Sequence, residues 1–273
     1  MSYATLMVYV DAGEMPEQRL GLAVSLARKF TARLIGISAL AVRPPLASEG
    51  VVVQRTIDID IQEIKARLAE RGNWFRSVAG VEHQDLEWRS VMDRPTEALA
   101  REARCADLVL IGRSEGSGDV YSSIDPGGVL LKIGRPTLIV ADNISVLRAE
   151  HVVIGWKDRR EARRAVADAL PFLREATEVT VAEICGPDEE ASAQGHVDDV
   201  VRYLSRHQIS AGPRVIPRRE ESDAAQLIQL AQQQNADLLV TGAYGHGRLG
   251  EWIFGGVTRD LLATSPICCL MSH

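Results

Sequence analysis

No apolar run in this sequence approaches the ~18 residues that a membrane-spanning helix needs, so no membrane partner is expected. The opening segment, Met1 to Asp11, lacks a basic start and its apolar stretch stops at Asp11. It reads as a first strand rather than a secretion signal. Excess positive charge is also missing. Lys and Arg number 31 against 37 Asp and Glu, a net charge of −6, which gives no electrostatic case for nucleic acid. Cysteine is scarce: Cys105, Cys185, Cys268 and Cys269, with no C-x-x-C pair. They read as small buried hydrophobes in a reducing, cytoplasmic setting. Cys185, His196 and His207 share one region without a zinc-ligand spacing, so no metal site is expected. The nucleophile elbow G-x-S-x-G, the P-loop G-x4-GK[ST] and a pyrophosphate loop of the S-G-G-x-D-S kind are all absent. No catalytic residue is assigned, and a defined enzymatic reaction is not expected.

What is present is a globular composition over 273 residues, 46% hydrophobic and 25% charged, long enough for two domains. Strand-like apolar runs alternate with segments of helical spacing. In the first half, strands are predicted at 6–10, 33–40, 86–91, 107–112 and 136–140. Helices are predicted at 16–30, 57–75 and 95–104, with a short one near 128–133. Residues 41–54, with Pro44 and Pro45, read as a loop. The order then restarts, with strands at 151–156, 178–184, 214–217, 237–242 and 266–271. Between them lie helices at 161–173, 197–207, 222–234 and 257–263, the third capped by Ser222.

The restart is an internal repeat. Ala106-Asp107-Leu108-Val109-Leu110-Ile111-Gly112 aligns with Ala236-Asp237-Leu238-Leu239-Val240-Thr241-Gly242 at an offset of 130. Pro136 to Val140 aligns with Pro266 to Leu270 at the same offset. Two domains are expected, 1–145 and 149–273, with the linker in 142–150. Alternating strands and helices imply parallel sheets covered on both faces, with ligands outside the carboxyl ends of the strands.

One stretch combines these signals. Thr241-Gly242-Ala243-Tyr244-Gly245-His246-Gly247 leaves a buried strand, and Gly255-Gly256-Val257-Thr258 opens a helix. Unpaired backbone N–H groups at a helix start attract an anion, and glycine lets a phosphate approach without a Cβ in the way. Gly242-x-x-Gly245, nine residues, then Gly255 resembles the G-x2-G-x9-G-[S/T] nucleotide motif of the universal stress proteins. Val152-Val153-Ile154-Gly155-Trp156-Lys157-Asp158 is similar to the first strand of such domains.

The resemblance covers the whole chain as a tandem member of that family. It implies two Rossmann-like α/β domains of the adenine nucleotide alpha hydrolase-like kind, each a five-stranded parallel sheet with helices on both faces. It implies ATP or AMP as ligand, with Mg²⁺ as a candidate companion, and a role in stress response. It also implies pseudo-dimeric packing of the halves through their fifth strands, and a homodimer as a further option. Carried over by residue, Thr241, Gly242, Gly245, His246, Gly255, Gly256, Val257 and Thr258 would surround ribose and phosphates. Gly155, Trp156, Lys157 and Ile184 would flank adenine and ribose. Two positions depart from the pattern. Gly256 stands where a hydroxyl residue is usual, and Lys157 where an acid is usual.

The first half serves as an internal control. At the offset of 130, Gly245 matches Glu115, Gly255 matches Asp125 and Gly256 matches Pro126. A carboxylate ~4 Å from a phosphate charge costs about 1–4 kcal/mol, so the first half is not expected to bind a nucleotide in the same way. The alternative reading of the chain is a ligand-free scaffold that docks a protein partner.

Overall fold

The computed structural model describes residues 2–13, 17–44, 54–80, 85–113, 118–142, 144–245 and 256–273, with no side-chain detail for 54–59. The first half runs β1 (Thr5–Tyr9), α1 (Glu17–Phe30), β2 (Arg33–Ala39), α2 (Gln54–Ala79), β3 (Leu86–Val91), α3 (Pro95–Glu102), β4 (Leu108–Gly112), α4 (Pro126–Lys132) and β5 (Thr137–Val140). The second runs β6 (His151–Trp156), α5 (Arg160–Leu173), β7 (Glu178–Cys185), α6 (Glu190–Arg206), β8 (Gly212–Pro217), α7 (Asp223–Gln233), β9 (Leu238–Gly242), α8 (Gly256–Thr264) and β10 (Cys268–Ser272). The predicted Pro44–Pro45 insertion falls mostly on 45–53, outside the described residues.

Within each half the strands are parallel, in the order 3-2-1-4-5 and its repeat. The two blocks join edge to edge into one ten-stranded sheet, β3-β2-β1-β4-β5-β10-β9-β6-β7-β8. The seam is antiparallel, with Ile139 opposite Cys269 and Leu138 opposite Leu270. It pairs the backbone of two short strands that would otherwise end each block. Alternation along the strands separates two cores. Val152 and Ile154 face α1, α2, α5 and α6 through one core, while Val153 and Leu239 face α3, α4, α7 and α8 through the other.

The duplication shows in local chemistry. The Asp107 carboxylate accepts from the N–H groups of Ala4 and Thr5 at 2.8 and 3.0 Å. Asp237 does the same for Ala149 and His151 at 2.7 and 3.3 Å. Each aspartate, at the turn before its strand, ties the fourth strand to the start of the first.

Two expectations need correction. The constant offset of 130 fails at the fifth strands. Val109 pairs with Thr137, but Leu239 pairs with Cys269, so the second ladder is displaced by two residues. The helices begin at matching positions, 126 and 256, but α8 has nine residues where α4 has seven. Helix α6 begins at Glu190 rather than at 197. Its first turns bury only Ala193, so apolar spacing is silent there. Polar pairs at i, i+4, Ser192 with His196 and Gln194 with Asp198, decorate this segment instead.

The thiols differ sharply in reach. Cys105 is exposed while Cys185, Cys268 and Cys269 are buried. Burial pushes Cys268 up to about 11 and Cys269 to about 12. A disulfide reagent such as Ellman's should therefore titrate one thiol per native chain and all four after denaturation. Two or more fast thiols in the native protein would contradict this packing.

Candidate functional site

Strands β6, β7 and β9 end side by side on one edge of the second half, and α5, α7 and α8 start above them. Gly155, on β6, sits where a Cβ would lie 2.9 Å from Leu227 and 3.0 Å from the Thr241 methyl. Gly242, on β9, allows a closer approach. A Cβ there would lie 2.6 Å from the backbone nitrogen of Ala162 and 2.7 Å from the Glu161 carbonyl carbon. The start of α5 thus presses directly on the chain leaving β9, which only glycine permits.

Beyond that contact opens a cleft of about 890 Å³, open solvent at its mouth included. Ten predicted residues line it: Gly155, Trp156, Lys157, Ile184, Thr241, Gly242, Gly245, Gly256, Val257 and Thr258. The other two, His246 and Gly255, lie outside the described residues. The remainder of the wall was not anticipated: Arg159, Glu161, Ala162, Arg218, Asp223, Leu227 and Tyr244. All but Tyr244 come from the segments that open α5 and α7 or from α7 itself, brought to the loop by strand order.

Several of these groups are already partnered. The Lys157 ammonium stands 3.4 Å from Glu183, a carboxylate on β7 that is almost fully buried, and 3.9 Å from Glu189. His196 holds the other oxygen of Glu183 at 3.1 Å. Arg218 and Asp223 form a two-bond ion pair at 3.0 and 3.2 Å. Thr258 accepts from the backbone N–H of Tyr244 at 3.1 Å, so its hydroxyl organises the loop two positions after Gly256. Glu161 is buried, and one of its oxygens would lie 3.2 Å from a Cβ at Gly245. Burial raises its carboxyl, but the Arg160 guanidinium 2.5 Å away more than offsets this and holds it below the usual range.

Two polar atoms in the wall are unsatisfied. Thr241, 4% exposed, has a hydroxyl without a hydrogen-bond partner among the described residues, and so has the indole N–H of Trp156. A buried polar group left unpaired costs about 1–3 kcal/mol. Both residues belong to the lining of the cavity. Trp156 also packs in the core.

Residues 148–273 match the family model described as the Universal stress protein family. This segment of the chain belongs to the universal stress protein family. Over 98% of its length the chain has the fold of a universal stress protein from Archaeoglobus fulgidus DSM 4304, with a TM-score of 0.75, 13% identity and 97% of that chain covered. A protein of unknown function from Pseudomonas aeruginosa PAO1 matches 99% of the chain at a TM-score of 0.60 and 11% identity, with 92% of its own length covered. The search of curated proteins found no match. The likeness to solved structures spans both halves, so the two-block architecture itself is shared.

The same corner of the first half is built differently from that of the universal stress protein domain. Helices α1 and α5 bury equivalent faces, with Ala23, Ala27 and Phe30 answering Ala165, Ala169 and Phe172. In that alignment Arg19 stands where Glu161 stands. A Cβ on Gly112 would lie only 1.9 Å from the Arg19 guanidinium, so that side chain fills the space over the strand end. Asp11 holds it there at 2.9 Å. At the helix start, the Asp125 carboxylate accepts from the N–H groups of Gly127 and Gly128 at 3.1 and 3.0 Å. The expected obstacle was repulsion by that carboxylate. The structure adds a direct one: Asp125 already occupies the donors that an anion would use. Glu115 lies outside the described residues.

Proposed function

We infer that the domain formed by residues 149–273 binds one adenine nucleotide, ATP or AMP, and that the domain formed by 1–145 does not. The observation that carries this is the convergence of the motif glycines Gly242 and Gly245 and the α8 start on one cavity at the strand ends. In this reading Gly242, Gly245, His246, Gly255, Gly256, Val257 and Thr258 face the phosphates with backbone N–H groups and the Thr258 hydroxyl. Gly155, Trp156, Ile184 and Thr241 receive the base and ribose, in a slot closed by Leu227. Lys157, tied to Glu183, guards the mouth. Among the described residues no cluster of three His, Cys, Asp or Glu could hold a metal, so a companion Mg²⁺ would draw its ligands mainly from phosphate oxygens and water. The nucleotide would act by biasing conformation or assembly in a stress response in the cytoplasm.

The buried Glu161 carboxylate against the loop favours a second reading, a ligand-free interaction module, because a carboxylate there, even paired with Arg160, opposes phosphate. Mass spectrometry of small molecules released from the purified, denatured protein separates the two. Titration calorimetry with ATP should then give about one site per chain, as a single intact glycine loop requires. Two equivalent sites, or none, would defeat the first reading.

A further inference from the structure

One wall residue of the second half's cavity touches the first half. Tyr244, which lines it, extends its side chain to the start of α4: a Cβ added to Gly127 would lie 2.5 Å from the phenol oxygen and 3.7 Å from the ring carbon that carries it. Gly127 is itself held by Asp125, which Thr96 on α3 positions through a 2.9 Å bond to the Asp125 N–H. The Asp125 charge and, more strongly, burial push the Tyr244 phenol up from its usual range. On the other side, the Tyr244 backbone adopts φ +56 and is fixed by Thr258, a cavity residue. A bulky side chain in that left-handed region is costly and is held only by its surroundings.

We propose that Gly127, in the half without a working nucleotide loop, is a positioning residue for the nucleotide site of the other half, acting through the Tyr244 phenol. The inference rests on the nucleotide reading above. Its logic is steric. Gly127 supplies the gap that the phenol enters, the phenol fixes the side of the cavity, and Thr258 transmits the placement to the loop. Linkage then makes the effect reciprocal: a ligand that settles the loop also settles the contact with α4.

A double-mutant cycle with ATP as probe tests this. Gly127 does not have positive φ, and alanine suits a helix better than glycine, so Gly127→Ala should fold with a thermal midpoint near that of the parent. Its Cβ displaces the phenol and should weaken ATP binding about fivefold or more. Tyr244→Phe removes the oxygen that clashes. Adding Gly127→Ala to Tyr244→Phe should therefore change the dissociation constant by less than about twofold. Parent-like affinity in Gly127→Ala would overturn the proposal. So would an undiminished loss in the Tyr244→Phe background, which would mean that the phenol is not the link. Absence of ATP binding by the parent would instead fail the nucleotide reading, and this inference with it.

Discussion

Phe172→Ala should lower the unfolding free energy by about 3–5 kcal/mol, among the larger effects of any single substitution in this chain. Phe172 is fully buried on α5. Its ring meets Tyr3 at 5.6 Å and Phe30 at 5.1 Å, both from the first half, and those two meet each other at 5.0 Å in edge-to-face geometry. Such pairs contribute about 0.5–1.5 kcal/mol each beyond the area they bury. The Tyr3 hydroxyl also donates to the Asp168 carbonyl at 2.5 Å, one turn before Phe172. Truncation therefore leaves a cavity at the junction of the halves, and the two neighbouring rings, both anchored in the first half, cannot follow the shortened side chain of the second. Urea unfolding should show the loss, and calorimetry should show a broader or divided transition as the halves lose cooperativity. A cost under about 1 kcal/mol would mean that this cluster is not what couples them.

The second large effect is on binding. Gly245→Glu should reduce ATP affinity by up to about a thousandfold, the equivalent of about 4 kcal/mol for a charge ~4 Å from a phosphate at a partly shielded site. A Cβ at Gly245 would meet Glu161 at 3.2 Å and the stem of Arg159 at 3.5 Å, contacts that small shifts accommodate, so the fold should persist. The added carboxylate joins that of Glu161, which Arg160 already pairs, and so adds an unpaired negative charge facing the loop. Gly245→Gln separates charge from bulk: it should bind ATP more tightly than Gly245→Glu. Equal losses in the two variants would show that space, not charge, governs this position.

Sequence read the strands well where a buried β-branched run met a polar break, as at His151–Trp156, and it found the Ser222 cap, whose hydroxyl accepts from Ala225 at 3.2 Å. Ten residues of the cavity lining were legible because they lie on the glycine motif or at strand ends, which local spacing marks. Arg159, Glu161, Arg218 and Asp223 were not, since nothing in their own segments marks them as facing the loop. Their nearness to it follows from strand order, a long-range property. Arg19 was missed for the same reason, and with it the internal cation that fills the first-half corner. Tyr244 was visible as a loop residue, but its reach to Gly127 depends on how the two blocks meet.

That meeting has a further consequence. Because β5 and β10 belong to one polypeptide, dilution cannot part them. An assembly of separate copies would fall apart below its dissociation constant, whereas a tethered pairing keeps a fixed local concentration. Each substitution also enters the joined sheet once rather than twice. One corner was thus free to take up Arg19 and Asp125 as fixed internal occupants while the other kept its opening, a division of labour that two identical copies, carrying every change in both places, do not permit.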